Sequence, residues 1–189
     1  KVGVYVKAYV NAVGSVKMKK CHNELDLSQV DANIVRCPDS DSADSMILEI
    51  EKIKKQGDTI GGEITAIATG VPAGWGEPVF DKLHADIGKG MLSINAVHGF
   101  KYGFGGVDIA GSKGSEVNDI IVDASGKTKT NYSGGIQGGI SNGNDIYCEV
   151  AFKPVATIIQ KQNTIDKDGV AVEIQGKGRH DACVVPRAV

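Results

Sequence analysis

The run Lys1-Val2-Gly3-Val4-Tyr5-Val6-Lys7-Ala8-Tyr9-Val10 sets Val2, Val4, Val6, Ala8 and Val10 against Gly3, Tyr5, Lys7 and Tyr9. A two-residue period of this kind is the pattern of a β-strand. The same period returns at Ile146, Cys148, Val150 and Phe152, a second strand that delivers Lys153 at its end. Between them the period changes. Asp39, Asp41 or Ser42 can cap a helix whose apolar stripe is Ala43, Met46, Ile47, Ile50 and Ile53, with Gly57 ending it. A strand through Ile64, Ala66 and Ala68 stops at Val71-Pro72. Pro78 then falls where a first helical turn tolerates proline, ahead of an apolar face of Val79, Phe80, Leu83 and Ile87. A strand from Ser93 to Val97 follows, so helix–strand occurs twice, a weak internal repeat.

The remaining segments read as connections. Lys17 to Asp31 is polar and forms a surface excursion. Gly99 to Gly143 is glycine-rich, with short apolar pieces such as Ile120-Ile121-Val122; a region so long without periodicity is more often functional than idle. Asn163 to Gly169 reads as a loop, and Val170, Val172 and Ile174 as a further strand. No linker divides the chain, so residues 1–189 are expected to form a single domain. The sequence starts inside a strand pattern and ends without a closing element, which gives it the look of a piece cut from a longer protein.

Composition narrows the classes. A net charge of −2 argues against a dedicated nucleic-acid binder, and no apolar run approaches membrane-spanning length. The first residues lack a signal-peptide pattern. Cys21, Cys37, Cys148 and Cys183 are far apart without metal-ligand spacing, and read as reduced thiols of a cytoplasmic protein. His22, His84, His98 and His180 show no metal-like grouping either.

Three stretches carry candidate chemistry. Lys153-Pro154-Val155-Ala156-Thr157 displays an ammonium and a hydroxyl where a strand ends, which suits an anion clamp and equally a solvated strand end. Gly178-Arg179-His180-Asp181 pairs a guanidinium for phosphate or carboxylate with a carboxylate able to move a proton; a local ion pair fits the same residues. The run Ser133-Gly134-Gly135-Ile136-Gln137-Gly138-Gly139-Ile140-Ser141-Asn142-Gly143 leaves backbone N–H groups open to a ligand. Gly103, Gly105 and Gly106 imitate a dinucleotide fingerprint without the strand–turn–helix setting it needs. Arg36, Arg179 and Arg187 are the only arginines, so a substrate with several anionic groups would draw further donors from outside this chain.

Taken in order, the blocks resemble one family. They are Ala8-Tyr9-Val10, Arg36-Cys37-Pro38-Asp39, Asp58-Thr59-Ile60-Gly61-Gly62, and Gly70-Val71-Pro72 with Gly74 to Leu83. Ser93-Ile94-Asn95-Ala96-Val97, Gly114-Ser115-Glu116-Val117-Asn118-Asp119, the Gly134–Gly143 run, Lys153-Pro154, Gly178 to Cys183 and Pro186-Arg187-Ala188-Val189 complete them. The chain is similar to chorismate synthases, and corresponds to their central-to-late portion.

The resemblance implies an α+β fold, part of a β-α-β sandwich. It implies a carbon–oxygen lyase that removes phosphate from 5-enolpyruvylshikimate-3-phosphate by 1,4-anti elimination to give chorismate, with reduced FMN required and NADPH as its reductant. A homotetramer in the cytoplasm is implied, with no nucleic acid, membrane or metal. Flavin contacts map onto Asn95, Ala96, Gly138, Lys153, Pro154, Val155, Ala156, Thr157 and Arg179. Arg179 also maps onto a substrate contact, and Asp181 onto a catalytic aspartate near flavin nitrogen five. His98 stands where the family often has lysine. The family's opening histidine motif, a second active-site histidine and most of its substrate arginines have no counterpart here, so the piece alone is expected to be inactive. The alternatives are a non-catalytic flavin- or phosphate-binding module and a nicotinamide-dependent oxidoreductase; the latter lacks its glycine fingerprint.

Overall fold

The computed structural model describes residues 3–105, 107–178 and 180–189. Its main element is a five-stranded antiparallel sheet. The strands are β1 (Tyr5–Val13), β2 (Val16–Lys17), β3 (Gly62–Thr69), β4 (Val97–Tyr102) and β7 (Ile146–Phe152), in the order β2-β1-β3-β7-β4. Two helices, α1 (Ser40–Lys55) and α2 (Leu83–Leu92), pack on this sheet, and this arrangement is the expected α+β class. Two short antiparallel ribbons stand apart from it: β5 (Ile136–Gln137) with β6 (Ile140–Ser141), and β8 (Lys161–Ile165) with β9 (Ala171–Gln175). Single-turn helices α3 (Gly114–Val117) and α4 (Val185–Ala188), with 3-10 turns at His22–Glu24 and Leu27–Ala32, complete the elements of the described residues.

β1 is a strand, as its alternation indicates, but its burial is not one-sided. Tyr5 and Val6 are exposed, while Tyr9, Val10, Asn11, Ala12 and Val13 are all buried. The inner half of the strand is covered on both faces. Val10 belongs to the core that Met46 of α1 also enters, and residues 18–36 cross the other side, donating Met18 N to Asn11 O at 2.9 Å and receiving Lys7 Nζ at Leu27 O. Polar groups trapped beneath that crossing pair with one another: Asn11 Nδ2 donates to Thr65 Oγ1 at 2.9 Å. Burial pushes the Tyr9 hydroxyl up to about 12.

α1 begins where its cap dictates. The Asp39 carboxylate accepts from Ser42 N at 3.2 Å and from the Ser42 hydroxyl at 2.6 Å. Ala43 and Met46 face inward with Ile47 and Ile50 behind them, and Gly57 leaves the helix at φ 68°.

Three local readings are corrected. α2 starts at Leu83, not at Pro78, and Val79 and Phe80 lie outside it, 68% and 90% exposed. Its first turn is fixed from far along the chain, because Leu83 N donates to Gly139 O at 2.8 Å. The strand read at Ser93–Val97 begins only at Val97; α2 continues to Leu92 and Ser93 closes it, its hydroxyl donating to Gly90 O at 2.6 Å. The loop read from Asn163 starts three residues late, since Asn163, Thr164 and Ile165 belong to β8. Asp166 makes the turn, its carboxylate accepting from Asp168 N and Val170 N, both at 2.9 Å, with Gly169 at φ 79°.

The glycine-rich region is organised around Asp119. Its carboxylate accepts from Thr130 Oγ1 at 2.7 Å, and from Tyr132 N and Ser133 N at 2.8 Å. Burial opposes ionisation there, but these donors outweigh it and hold the carboxyl below its ordinary range. All four cysteines are unbridged.

Candidate functional site

One end of the main sheet gathers most of the candidate residues. β7 lies between β3 and β4, with Phe152 opposite both Gly62 and Val97. The strand therefore releases Lys153 between two chain segments. On one side Lys153 N donates to Ala96 O at 2.9 Å. Ala96 sits at φ 69°, a left-handed conformation that an alanine holds at a cost of order 1 kcal/mol, so the surroundings over-determine it. Asn95, Lys153, Pro154, Ala156 and Thr157 are exposed at this end, with Ala96 and Val155 half-buried. Among the described residues no carboxylate lies within salt-bridge distance of the Lys153 ammonium.

On the other side runs Gly57-Asp58-Thr59-Ile60-Gly61, which binds both candidate stretches. The Thr59 hydroxyl donates to Val155 O at 2.7 Å, and Ile159 N donates to Gly57 O at 2.9 Å. Toward the C-terminal stretch, Ile60 N donates to Ala182 O at 2.8 Å, and His180 Nε2 meets Asp58 O at 2.8 Å. A carbonyl can only accept, so this contact puts the ring proton on Nε2. Among the described residues, His180 Nδ1 is buried without a partner. Gly61 is forced by closeness: a Cβ there would stand 2.4 Å from Phe152 O and 3.2 Å from Pro154 N. Beside it opens a groove of about 520 Å³ lined by Gly14, Lys17, Ile60, Gly61 and Pro154.

Asp181 stands at the same end. Its carboxylate receives a two-pronged ion pair from Arg187, with both N–O distances 2.7 Å. The guanidinium reaches back from α4, whose Val185 is fully buried beneath Gly62. Arg179 lies outside the described residues.

Gly138 is placed elsewhere. It sits in the turn between β5 and β6, beside Gly139, whose carbonyl meets the start of α2. Asn95 and Ala96 follow the other end of that helix, whose ten residues span about 15 Å. Gly138 thus lies near the Leu83 end of α2, and Lys153, through Ala96, near its Leu92 end.

Sequence reasoning missed the roles of Thr59, His180 and Arg187. The block Asp58 to Gly62 reads in the sequence only as a matching run, and its charge and hydroxyl carry no sign of what they hold. Arg187 was legible as a cation in a short tail, without its partner.

The family profile described as chorismate synthase matches residues 1–189. A chorismate synthase of Christiangramia forsetii is 56% identical over 98% of this chain and 52% of its own length. One of Phocaeicola vulgatus is 54% identical over 100% of this chain and 53% of its own. A solved chorismate synthase crystal structure superimposes with a TM-score of 0.73 at 28% identity, over 80% of this chain and 50% of that one. The chain thus spans about half the length of the relatives it matches. It belongs to the chorismate synthase family.

Proposed function

We propose that the protein to which this chain contributes eliminates phosphate from 5-enolpyruvylshikimate-3-phosphate to give chorismate, as a carbon–oxygen lyase using reduced FMN. The observation that carries this is the family match over residues 1–189, joined to the gathering of Asn95, Ala96, Lys153–Thr157 and Asp181 at one end of the sheet.

The residues present fit a phosphate-bearing flavin. Lys153 offers an exposed ammonium, and His180 Nδ1, buried and without a partner among the described residues, is an acceptor for an N–H or O–H. In this reading Asn95, Ala96, Lys153, Pro154, Val155, Ala156, Thr157 and Arg179 hold FMN. When bound, reduced FMN supplies electron density to the allylic centre that loses phosphate.

Lys153 and Arg179 orient the two anionic ligands and neutralise the departing phosphate. Arg179 also binds substrate. Asp181 holds or moves a proton at its carboxylate, and Arg187 fixes the direction in which that carboxylate points. In this reading Gly138 also contacts the flavin, across the length of α2 from Lys153.

Residues 1–189 form one domain in this reading, the central and late portion of a larger core. The assembly is a cytoplasmic homotetramer with NADPH as reductant of the flavin. With three arginines, the chain alone does not complete a substrate site. The test is turnover by the full-length protein with pre-reduced FMN, followed by phosphate release and product absorbance. Chorismate formed only with reduced flavin is expected. Tight flavin binding without turnover would instead support a non-catalytic binding module.

A further inference from the structure

The stretch Lys153–Thr157 leaves the sheet with few ties of its own. Lys153 N donates to Ala96 O at 2.9 Å, and the next main-chain donor with a partner is Ile159 N, on Gly57 O at 2.9 Å. Pro154 has no N–H to give. Among the described residues, residues 154–158 make a single hydrogen bond: Thr59 Oγ1 donates to Val155 O at 2.7 Å. The held carbonyl stands midway, with Lys153 two residues before it and Thr157 two residues after. A peptide unit is planar, so fixing its carbonyl fixes the whole Val155–Ala156 plane and the two soft dihedrals that flank it.

The donor is itself anchored from several directions. Asp58 N donates to Ile53 O at 3.2 Å, at the end of α1, and Thr59 N donates to Asp58 Oδ1 at 2.8 Å. Ile60 N donates to Ala182 O at 2.8 Å, and Gly61 O accepts from Gly14 N at 3.0 Å. Residues 58–61 are thus tied to α1, to the C-terminal stretch and to the turn between β1 and β2. Thr59 is half-buried. Its hydroxyl sits on a β-branched carbon with few rotamers, so the backbone sets where the O–H points.

Neighbouring contacts act at other places. Gly61 works by closeness, at Phe152 O and Pro154 N, before Val155 is reached. The bonds from Ile159 N to Gly57 O and from Gln160 Nε2 to Gln56 O hold the approach to β8, after Thr157 is passed. Only Thr59 addresses the span between them. Its partner is main chain, so it acts on a ligand through residue 155.

We propose that Thr59 is a positioning residue for the flavin: its hydroxyl holds the Val155–Ala156 peptide plane and so sets Lys153 and Thr157 in one placement toward FMN. This deepens the flavin reading above and rests on it.

The test uses the full-length protein and Thr59→Val, which keeps the branched shape and removes the hydroxyl. Thr59→Ser keeps the hydroxyl and serves as the rescue. Oxidised FMN is titrated by fluorescence, melting is followed by calorimetry, and turnover is measured over a range of reduced FMN. Thr59→Val is expected to raise the FMN dissociation constant about three- to tenfold, the range that loss of one such hydrogen bond gives. Its turnover should fall at low flavin and return toward the wild-type rate at saturating flavin. Thr59→Ser should bind FMN within about twofold of the wild type. A purely structural role would lower the melting temperature of Thr59→Val and leave the FMN affinity of the folded protein unchanged; that result overturns the positioning role, as does a Thr59→Ser that binds as weakly as Thr59→Val. If Thr59→Val does not fold, Thr59→Ala, which also lacks the hydroxyl, is judged by the same affinities. A wild type that neither binds FMN nor turns over with it overturns the flavin reading and the role of Thr59 together. A wild type that binds FMN, with Thr59→Val binding equally well, overturns the role of Thr59 alone.

Discussion

Replacing Gly61 by alanine puts the packing of the candidate site under direct strain. The added Cβ would lie 2.4 Å from Phe152 O and 3.2 Å from both Pro154 N and Pro154 Cδ. Carbon–oxygen contacts settle near about 3.3 Å, so backbone must move by about 1 Å. No flexible side chain is there to yield. Gly61 cannot retreat easily, because its carbonyl accepts from Gly14 N at 3.0 Å and its neighbour Ile60 N donates to Ala182 O at 2.8 Å. The displacement therefore falls on Phe152 to Pro154 and carries Lys153 with it. Overpacking of this kind costs about 1–3 kcal/mol. The full-length protein is about twice as long as this chain, so at roughly 1–2 °C per kcal/mol its melting temperature should drop by about 1–6 °C. A misplacement of about 1 Å at a positioning residue costs turnover about a hundredfold. Gly90→Ala is the control: the glycine lies exposed in α2 with nothing within 4 Å of an added Cβ, so the change should stabilise by about 0.5–1 kcal/mol. Calorimetric melting and turnover with pre-reduced FMN check both variants of the full-length protein. If Gly61→Ala melts and turns over like the wild type, the claim that Gly61 sets the position of Lys153 is refuted.

Asp181→Asn should lower turnover more than ligand affinity, whereas Arg187→Gln should lower turnover less, by loosening the carboxylate's orientation; single-turnover kinetics on both would show whether Asp181 is only a tether for Arg187. Asp39→Ala should destabilise by about 1 kcal/mol at neutral pH. The Lys20 ammonium and Ser42 hydroxyl lower the Asp39 carboxyl to about 2, so its ionised cap is fully present above the unfolded carboxylate's value near 4. The variant's deficit should shrink as pH falls from about 4 through 2, and denaturation curves across that range that stay parallel would contradict it. Residues 107–131 include Ile120, Ile121 and Val122 at 62%, 67% and 54% exposure, and hydrogen exchange there should slow when flavin and substrate bind. Equal protection with and without them would count against closure of this segment.

Local patterns in the sequence were enough for β1, α1, β3 and β7. Alternating side chains, a capping aspartate and an ending glycine act within a few residues of themselves, and short-range sterics read them directly. The ordered blocks were likewise enough for the family. The start of α2 was not legible, because a carbonyl from Gly139 decides it and the nearby Pro78 sends the opposite signal. β8 escaped notice because both faces of the ribbon are exposed and no apolar period marks it. For the site, the sequence named Asn95, Ala96, Lys153–Thr157 and Asp181 but not what holds them. Only the assembly of the sheet brings Thr59 to Val155, Asp58 to His180 and Arg187 to Asp181, and only the placement of β7 between β3 and β4 puts Lys153 beside Ala96. Side-chain periodicity encodes which face a residue prefers; it carries no record of which distant backbone will arrive there. Those partners are set by strand order and register, which depend on burying the whole core at once.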